Sequence, residues 1–342
     1  MLVGALRGYG GGMTIGTVTE LWRHPVKSLG GVRVDETHVG PRGVHGDRLW
    51  AVRDLERDIT ASARRIPLLL TATARYVDPL PPDAGPGNVP EVEITFPDGT
   101  VLSSRDPAVH TKLSELVDRE VKLTALPPAD DTSLHRMRLH NQKDAIASAQ
   151  LRADFGVTDG EKLPDLAKFP MFELLKLGRY STAPGMFVDL APVHVMTTSS
   201  VAAIADQIGD DVDVRRFRPN VLISLEDPDG DLPEAQWVGA EAVIGGIGLD
   251  VISQTVRCVV PSRAQPGLEV DRRITRAVAA RAQRCLGVYC TVTRSGLVRV
   301  GDAVDIREAS SSRPKQLLDS ATMGAKRFAL GLATAVADRV FR

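Results

Sequence analysis

The run Gln254-Thr255-Val256-Arg257-Cys258-Val259-Val260-Pro261 puts one of the chain's three cysteines at the end of an expected strand, beside an arginine and ahead of a loop bearing Pro and Gly. A thiol so placed can present a thiolate to a ligand, since a neighbouring cation favours the ionised form. The plain alternative is a small buried hydrophobe, the usual role of a free cysteine. Basic segments upstream argue for more. In Val214-Arg215-Arg216-Phe217-Arg218-Pro219-Asn220 three arginines fall within four residues and Pro219 limits the local backbone. Planar guanidinium forks suit phosphate oxygens. Thr197-Thr198-Ser199-Ser200 reads as a helix N-terminus, where hydroxyls cap free amides and the dipole favours an anion, although a cap by itself needs no ligand. Cys285 and Cys290, spaced C-x4-C, have no further cysteines to complete a four-cysteine zinc site or an iron–sulfur cluster, and are expected in the core or at a helix end.

The elements that must position these residues are mostly strands. The expected strands are Thr14 to Leu21, Val32 to Val39, Arg48 to Arg53, Leu69 to Val77, Val92 to Phe96 and Val121 to Leu126, with Gly-Gly, Pro-Arg-Gly and Pro-Asp-Gly turns between them and one helix over Ala108 to Asp118. Residues 127–189 are weakly patterned and read as exposed loop with a short helix at Met171 to Leu177, a linker or lid. Order returns with a short strand before Thr197, a helix over Val201 to Gly209, the strand Val221 to Leu225, the strand Ile247 to Gln254 leading to Cys258, a basic amphipathic helix over Asp271 to Cys285, and closing strands at Gly287 to Thr293 and Leu297 to Ile306. The expected fold class is mainly β with α: a flexible N-terminus (1–13) with Met13 as a candidate start, an N-terminal β-barrel-like domain (14–126), the linker, a second β-barrel domain (190–307), and a linker with a C-terminal amphipathic helix (308–342). That helix is expected to dock on the body, with a membrane surface as the alternative.

The 342 residues can bury an ample core without staples. With 42 Lys+Arg against 43 Asp+Glu there is no global basic field, which excludes the nucleic-acid-binding class and makes any basic site local. An odd number of cysteines and no run near the ~20 apolar residues of a bilayer span place the chain in a reducing, cytoplasmic setting.

Five segments fall in order: His24-Pro25-Val26-Lys27-Ser28, Gly46-Asp47-Arg48-Leu49-Trp50, Phe217-Arg218-Pro219-Asn220, Arg257-Cys258 and Val300-Gly301-Asp302-Ala303-Val304. Together they resemble the MOSC proteins, the family named for the C-terminal domain of molybdenum cofactor sulfurase, in the branch with an N-terminal β-barrel domain that includes the amidoxime-reducing components. The resemblance covers about residues 14–126 and 189–307. It implies a molybdenum cofactor (molybdopterin) between the two domains, with Cys258 as the protein's metal ligand. It further implies that Lys27, Ser28 and Arg48 bind the phosphate and pterin, that Arg218 and Asn220 form a second set, and that Thr197, Thr198, Ser199 and Arg257 add contacts. A soft thiolate suits such a metal, and a phosphate monoester is best bound by Lys/Arg with hydroxyl and amide donors. Two departures stand out: Thr60-Ala61-Ser62-Ala63-Arg64 only loosely resembles the family's Thr-Ala-Arg-Gln segment, so no role carries over there, and Val256 stands where relatives often have serine.

The resemblance thus implies an oxidoreductase that reduces small N-hydroxylated molecules. Its electrons come from a separate protein, because the chain has no cysteine set for an iron–sulfur cluster and no Gly-rich dinucleotide fingerprint after any strand. A non-catalytic carrier of the cofactor, or of sulfur on Cys258, is the alternative. A β scaffold with an unliganded core cysteine leaves the arginine cluster unexplained.

Overall fold

The computed structural model describes residues 14–157, 161, 163 and 179–308. The N-terminal stretch 1–13, the expected helix at Met171 to Leu177 and the C-terminal helix lie outside the described residues. The first half carries short strands: β1 (Gly16–Arg23), β2 (Val32–Val34), β3 (Glu36–Gly40), β4 (Gly43–Val44), β5 (Trp50–Asp54), β6 (Ile59–Thr60), β7 (Thr73–Tyr76), β8 (Val92–Thr95), β9 (Val101–Ser103) and β10 (Val121–Ala125), with helix α1 (Ala108–Val117) before the last. Helices α2 (Leu139–Ile146) and α3 (Ser148–Phe155) follow. The second half holds β11 (Val193–Thr197), α4 (Thr198–Ile208), β12 (Val221–Leu225), β13 (Ala240–Ile244), β14 (Ile247–Val256), α5 (Arg272–Ala282), β15 (Cys285–Arg294), β16 (Gly296–Arg299) and β17 (Ala303–Glu308). The fold is mainly β with a few helices, as the patterning implies.

Period-two alternation explains the largest sheet. Along β14 the buried positions Ile247, Leu249, Val251, Ser253 and Thr255 share one face. That face meets Val193 and Val195 of β11, Val221 and Ile223 of β12, Ile244 of β13 and Val288 and Cys290 of β15 in one apolar core. The strands run β12-β11-β15-β14-β13-β17-β1, and pairing of β1 with β12 closes a seven-stranded barrel. Closure leaves no edge strand, and each fully buried Val, Leu or Ile inside contributes about 1.5–3 kcal/mol.

The first strand of the chain therefore completes a barrel whose other six strands all follow residue 190. Gly16 to Leu21 pairs with Leu225 to Val221 on one side, and Gly16 and Thr17 with Val304 and Ala303 on the other. Side chains would obstruct this seam at Gly16, where an added Cβ would lie 2.9 Å from Leu225 Cα. Past β1 the chain crosses into a second core formed by Val26, Leu29, Val52, Leu69, Ile94, Leu113 and Leu123. His24 to Gly30 is thus the joint between the two cores, and Val26 and Gly30 are held there by bridges to Trp50 and Thr73.

Some elements differ from the patterning. The expected strand Val32 to Val39 breaks at Asp35 into β2, which pairs with β1, and β3, which pairs with β16. The start of the expected strand Leu69 to Val77 is a 3-10 turn, Pro67–Thr71, because proline at its head pre-sets helical φ. β13 had no alternation to announce it, being apolar at four of its five positions. α2 and α3 replace part of the expected loop at 127–189, and α3 takes its place from contacts distant in sequence, described next.

Candidate active site at the joint of the two cores

Cys258 follows the end of β14, and the peptide groups on both sides of it are anchored. Arg257 N donates to Arg284 O at 2.8 Å, and Val259 N donates to Asp154 O of α3 at 3.0 Å. The thiol is half-buried. Burial pushes its pKa up, while Arg64 and the Val260 backbone N–H pull the other way. The adjacent arginine is not the cation facing the thiol. The buried Arg257 side chain turns inward, its Nε to Leu286 O (2.7 Å), Nη1 to Phe217 O (3.0 Å) and Nη2 to His194 Nε2 (2.6 Å), with its guanidinium 5.3 Å from the Phe217 ring centre. Burial lowers its pKa to about 10. Since His194 Nε2 accepts from Arg257, its Nδ1–H donates to Arg218 O at 3.3 Å, a neutral tautomer that agrees with a pKa held well below the usual value by burial and by Arg257.

The cations gathered around Asp189 come from four separate loops. Lys27 is buried and its ammonium pairs with Asp189. Burial lowers the Lys27 pKa, with Asp189 opposing. Asp189 keeps 67 % of its side chain accessible. Burial raises its carboxyl, but Lys27, Arg64 and Arg48 outweigh that and hold it well below the carboxylate range. For Arg64 burial works against the charge, but Asp154, Cys258 and Asp189 prevail and raise its pKa. The pair Arg64 Nε to Asp154 Oδ2 is 3.5 Å long. Arg48 pairs with buried Asp47, whose other oxygen accepts from His24 N at 2.6 Å. Arg218 donates from Nη1 to Leu29 O at 2.6 Å, while its Nη2 is buried without a partner. Burial and Arg48 lower its pKa to about 9.

Ser28, Arg48 and Arg218 have φ of 71°, 52° and 54°, the left-handed region that non-glycine residues seldom adopt. Such strain persists where surrounding structure over-determines it and gathers at functional sites. Ser28 Oγ accepts from Ala63 N at 2.9 Å, leaving its hydroxyl proton to donate elsewhere.

Two other residues expected at the site, Asn220 and Thr197, have scaffold partners. Asn220 Oδ1 accepts from His194 N (3.1 Å) and its Nδ2 donates to Trp22 O (3.4 Å), clipping β11 to β1. Thr197 caps α4, accepting from Ser200 N at 3.2 Å and donating to buried Glu234 Oε2 at 2.7 Å. Thr198 and Ser199 stand half-buried in the first turn of α4. The arginine cluster divides: Arg216 binds Pro261 O, Arg263 O and Glu269 O, Arg215 pairs with Asp213, and only Arg218 turns to the cleft. The cluster's function is thus partly to fix the loop after Cys258.

Pattern reading missed Asp189, Arg64, Asp154, His24 and Tyr289. Tyr289 lies near enough to Asp189 and Cys258 to feel their charge, and burial raises its phenol to about 12. Arg64 had a signal, the loosely matching Thr60 to Arg64 segment; Asp154 and Asp189 sit in the weakly patterned stretch and had none.

Two family models match in sequence: the MOSC N-terminal beta barrel domain over residues 15–131 and the MOSC domain over 183–305. The chain belongs to the MOSC family, in the two-domain arrangement. Among individual proteins it is 24 % identical over 317 residues to mitochondrial amidoxime reducing component 2 of Bos taurus, covering 85 % of this chain and 83 % of that one. It is likewise 24 % identical to mitochondrial amidoxime-reducing component 1 of Homo sapiens, covering 85 % and 82 %. Among solved structures, the YuaD protein from Bacillus subtilis aligns with a TM-score of 0.38 and 14 % identity over 87 % of this chain and 98 % of that one. Among the described residues no helix is long and apolar enough to cross a membrane.

Proposed function

We propose that this chain is a molybdenum-cofactor-dependent oxidoreductase that reduces N-hydroxylated small molecules with electrons from a separate protein. Overall, the N–O bond of the substrate is cleaved and an N–H bond takes its place, the oxygen leaving as water. The donor supplies the two electrons this requires, and solvent the two protons. The observation that carries the reading is the buried, unpartnered Arg218 Nη2, in a charge cluster whose Asp189 also acts on the half-buried Cys258. An unsatisfied buried donor on a charged group is costly, and an anionic ligand satisfies it. The cleft also carries an excess of positive charge, with Lys27, Arg48, Arg64, Arg65 and Arg218 against Asp47, Asp154 and Asp189. Those residues fit a phosphate-bearing pterin. The names of the curated relatives point to the same substrate class.

Lys27, Ser28, Arg48 and Arg218 would hold the phosphate and pterin, with Thr198, Ser199 and the amide end of α4 as further donors. Cys258 would be the metal ligand. When bound, a molybdopterin-type cofactor supplies two-electron redox chemistry at its metal. The chain's own residues then have three tasks. Thr197, Asn220 and Arg257 hold the strand ends that carry the contacts. The anchored amides around Cys258 aim the thiol, whose raised pKa means that metal binding displaces its proton. Asp189, ionised and accessible, orients Lys27.

Elemental analysis of wild type and Cys258→Ser, expressed in a host that makes the cofactor, tests this. Wild type is expected to carry molybdenum and to turn over an N-hydroxylated substrate with a reduced dye but not with reduced nicotinamide alone. The serine variant is expected to lose turnover and most of its metal, since serine is a harder and scarcely ionised ligand. Wild type free of molybdenum, or a serine variant that works unchanged, overturns the proposal; molybdenum without turnover supports the carrier alternative.

A further inference from the structure

Helix α3 belongs to neither barrel core, yet it is joined to the peptide groups on both sides of Cys258. Asp154 O accepts from Val259 N at 3.0 Å. On the other side Phe155 O accepts from Arg284 Nη1 at 3.0 Å, and Arg284 O in turn accepts from Arg257 N at 2.8 Å. Arg284 is buried, has φ of 66°, and also pairs through Nη2 with Glu161 at 3.0 Å. The helix meets the N-terminal half as well, since the buried Asp154 carboxylate faces Arg64 Nε at 3.5 Å and Arg65 Nε at 3.7 Å. The approach is close: a Cβ at Gly156, which ends α3 in the left-handed conformation, would stand 2.8 Å from Val259 Cγ1.

We infer that α3, fastened by Asp154 and Arg284 to the residues flanking Cys258, is the wall that limits the size of molecule able to reach the thiol. It follows that α3 sets the steric limit on the substrate, a step that rests on Cys258 being the reacting centre proposed above. The Arg284 bond to Phe155 O makes the stiff part of this fastening, because breaking it leaves a desolvated charge behind, while Asp154 adds a backbone bond and two ion pairs. A helix held only by packing would open far more readily. This explains why a segment with little periodicity of its own is ordered where it meets the cysteine.

The test uses the full chain from a host that does not make the cofactor, so its outcome does not depend on metal binding. Labelling of Cys258 is timed with N-ethylmaleimide and with a bulky fluorescein maleimide, at one pH and relative to a free thiol, and Cys258→Ser supplies the background from Cys285 and Cys290. Wild type is expected to react readily with the small reagent and slowly with the large one. Arg284→Ala, checked for an unchanged cooperative melt, is expected to raise the bulky-to-small rate ratio by about tenfold or more as the wall opens, with Arg284→Lys falling between wild type and the alanine variant; Asp154→Asn, which loses only the ion pairs to Arg64 and Arg65, is expected to raise it less. Equal rates for the two reagents on wild type overturn the inference even where Arg284→Ala fails to fold. An unchanged ratio in folded Arg284→Ala, or in folded Arg284→Lys where the alanine variant fails to fold, also overturns it. Molybdenum content of these variants then reports separately on the proposed function.

Discussion

Arg218 and Asn220, two residues apart in one short motif, have opposite tasks. The Arg218 charge is held at a cost, its pKa lowered by burial and by Arg48 and one of its donors orphaned. Asn220 has its side-chain oxygen and nitrogen engaged by backbone groups. Arg218→Ala is therefore expected to weaken cofactor retention by about ten- to a hundredfold, the worth of one charge-assisted contact, while the cofactor-free protein loses little stability, since relief of the buried charge offsets the lost bond to Leu29 O. Asn220→Ala is expected to cost about 1–3 kcal/mol of stability through unpaired buried backbone groups. Denaturant melts and molybdenum retention separate the two; equal losses of stability would contradict this division. His24 and His194 give a pH signature. Burial holds both imidazoles well below the ordinary histidine pKa, with Arg218 adding to the effect on His24 and Arg257 on His194. Unfolding lets each take up a proton below about pH 6.5, so their contribution to stability is complete above that value and is lost as pH falls, by ~1.4 kcal/mol per pH unit for each. Buried Glu234, raised by desolvation, acts in the opposite sense as pH rises. The melting temperature is thus expected to drop between about pH 6.5 and 5, and His24→Phe should flatten that drop; a flat profile in wild type would count against both assignments.

At the scale of elements, the loop after β14 owes its shape to side chains rather than to turn sequence. Arg216 reaches back from the 3-10 turn before β12 to take three carbonyls of that loop, Pro261, Arg263 and Glu269. Ser262 joins the loop to α5 through Thr275, and the same hydroxyl accepts from Thr275 N at 3.1 Å. Arg216→Ala is expected to cost about 2–4 kcal/mol, as the loss of a buried network usually does, and to expose residues 261–269 to proteolysis. An unchanged denaturation midpoint would show that the loop stands without it. Arg216→Lys is expected to recover little, since a point charge cannot engage three acceptors in one plane.

For the whole molecule the decisive feature is that β1, at the N-terminal end, closes the barrel built by the C-terminal half. A fragment comprising residues 179–308 lacks one of seven staves and leaves β12 and β17 as open edges. It is expected to show no cooperative unfolding by circular dichroism, and to gain it when a peptide of residues 14–34 is added. A fragment that folds cooperatively alone would show that closure is dispensable. The same closure brings Lys27 beside Arg48 and Asp189, because the chain leaves β1 directly into the joint between the cores.

Local chemistry determined much of this in advance. The alternation of β14, the run Val221 to Leu225, the Thr197 cap and the helix over Ala108 to Asp118 are visible in the sequence because each depends on neighbours two to four residues away. The family segments likewise drew notice to Lys27, Arg48 and Arg218, whose charges all act on Asp189 or on one another, and to Cys258, which feels the same carboxylate. What no local pattern could supply is the direction a side chain takes once the chain has closed. Arg257 adjoins Cys258 in sequence but turns into the core, whereas from about a hundred residues or more away along the chain Arg64 acts on the thiol and Asp154 holds the next peptide group. Those placements depend on hydrogen bonds and ion pairs between distant segments. They exist only after β1 closes the barrel and the two cores have met.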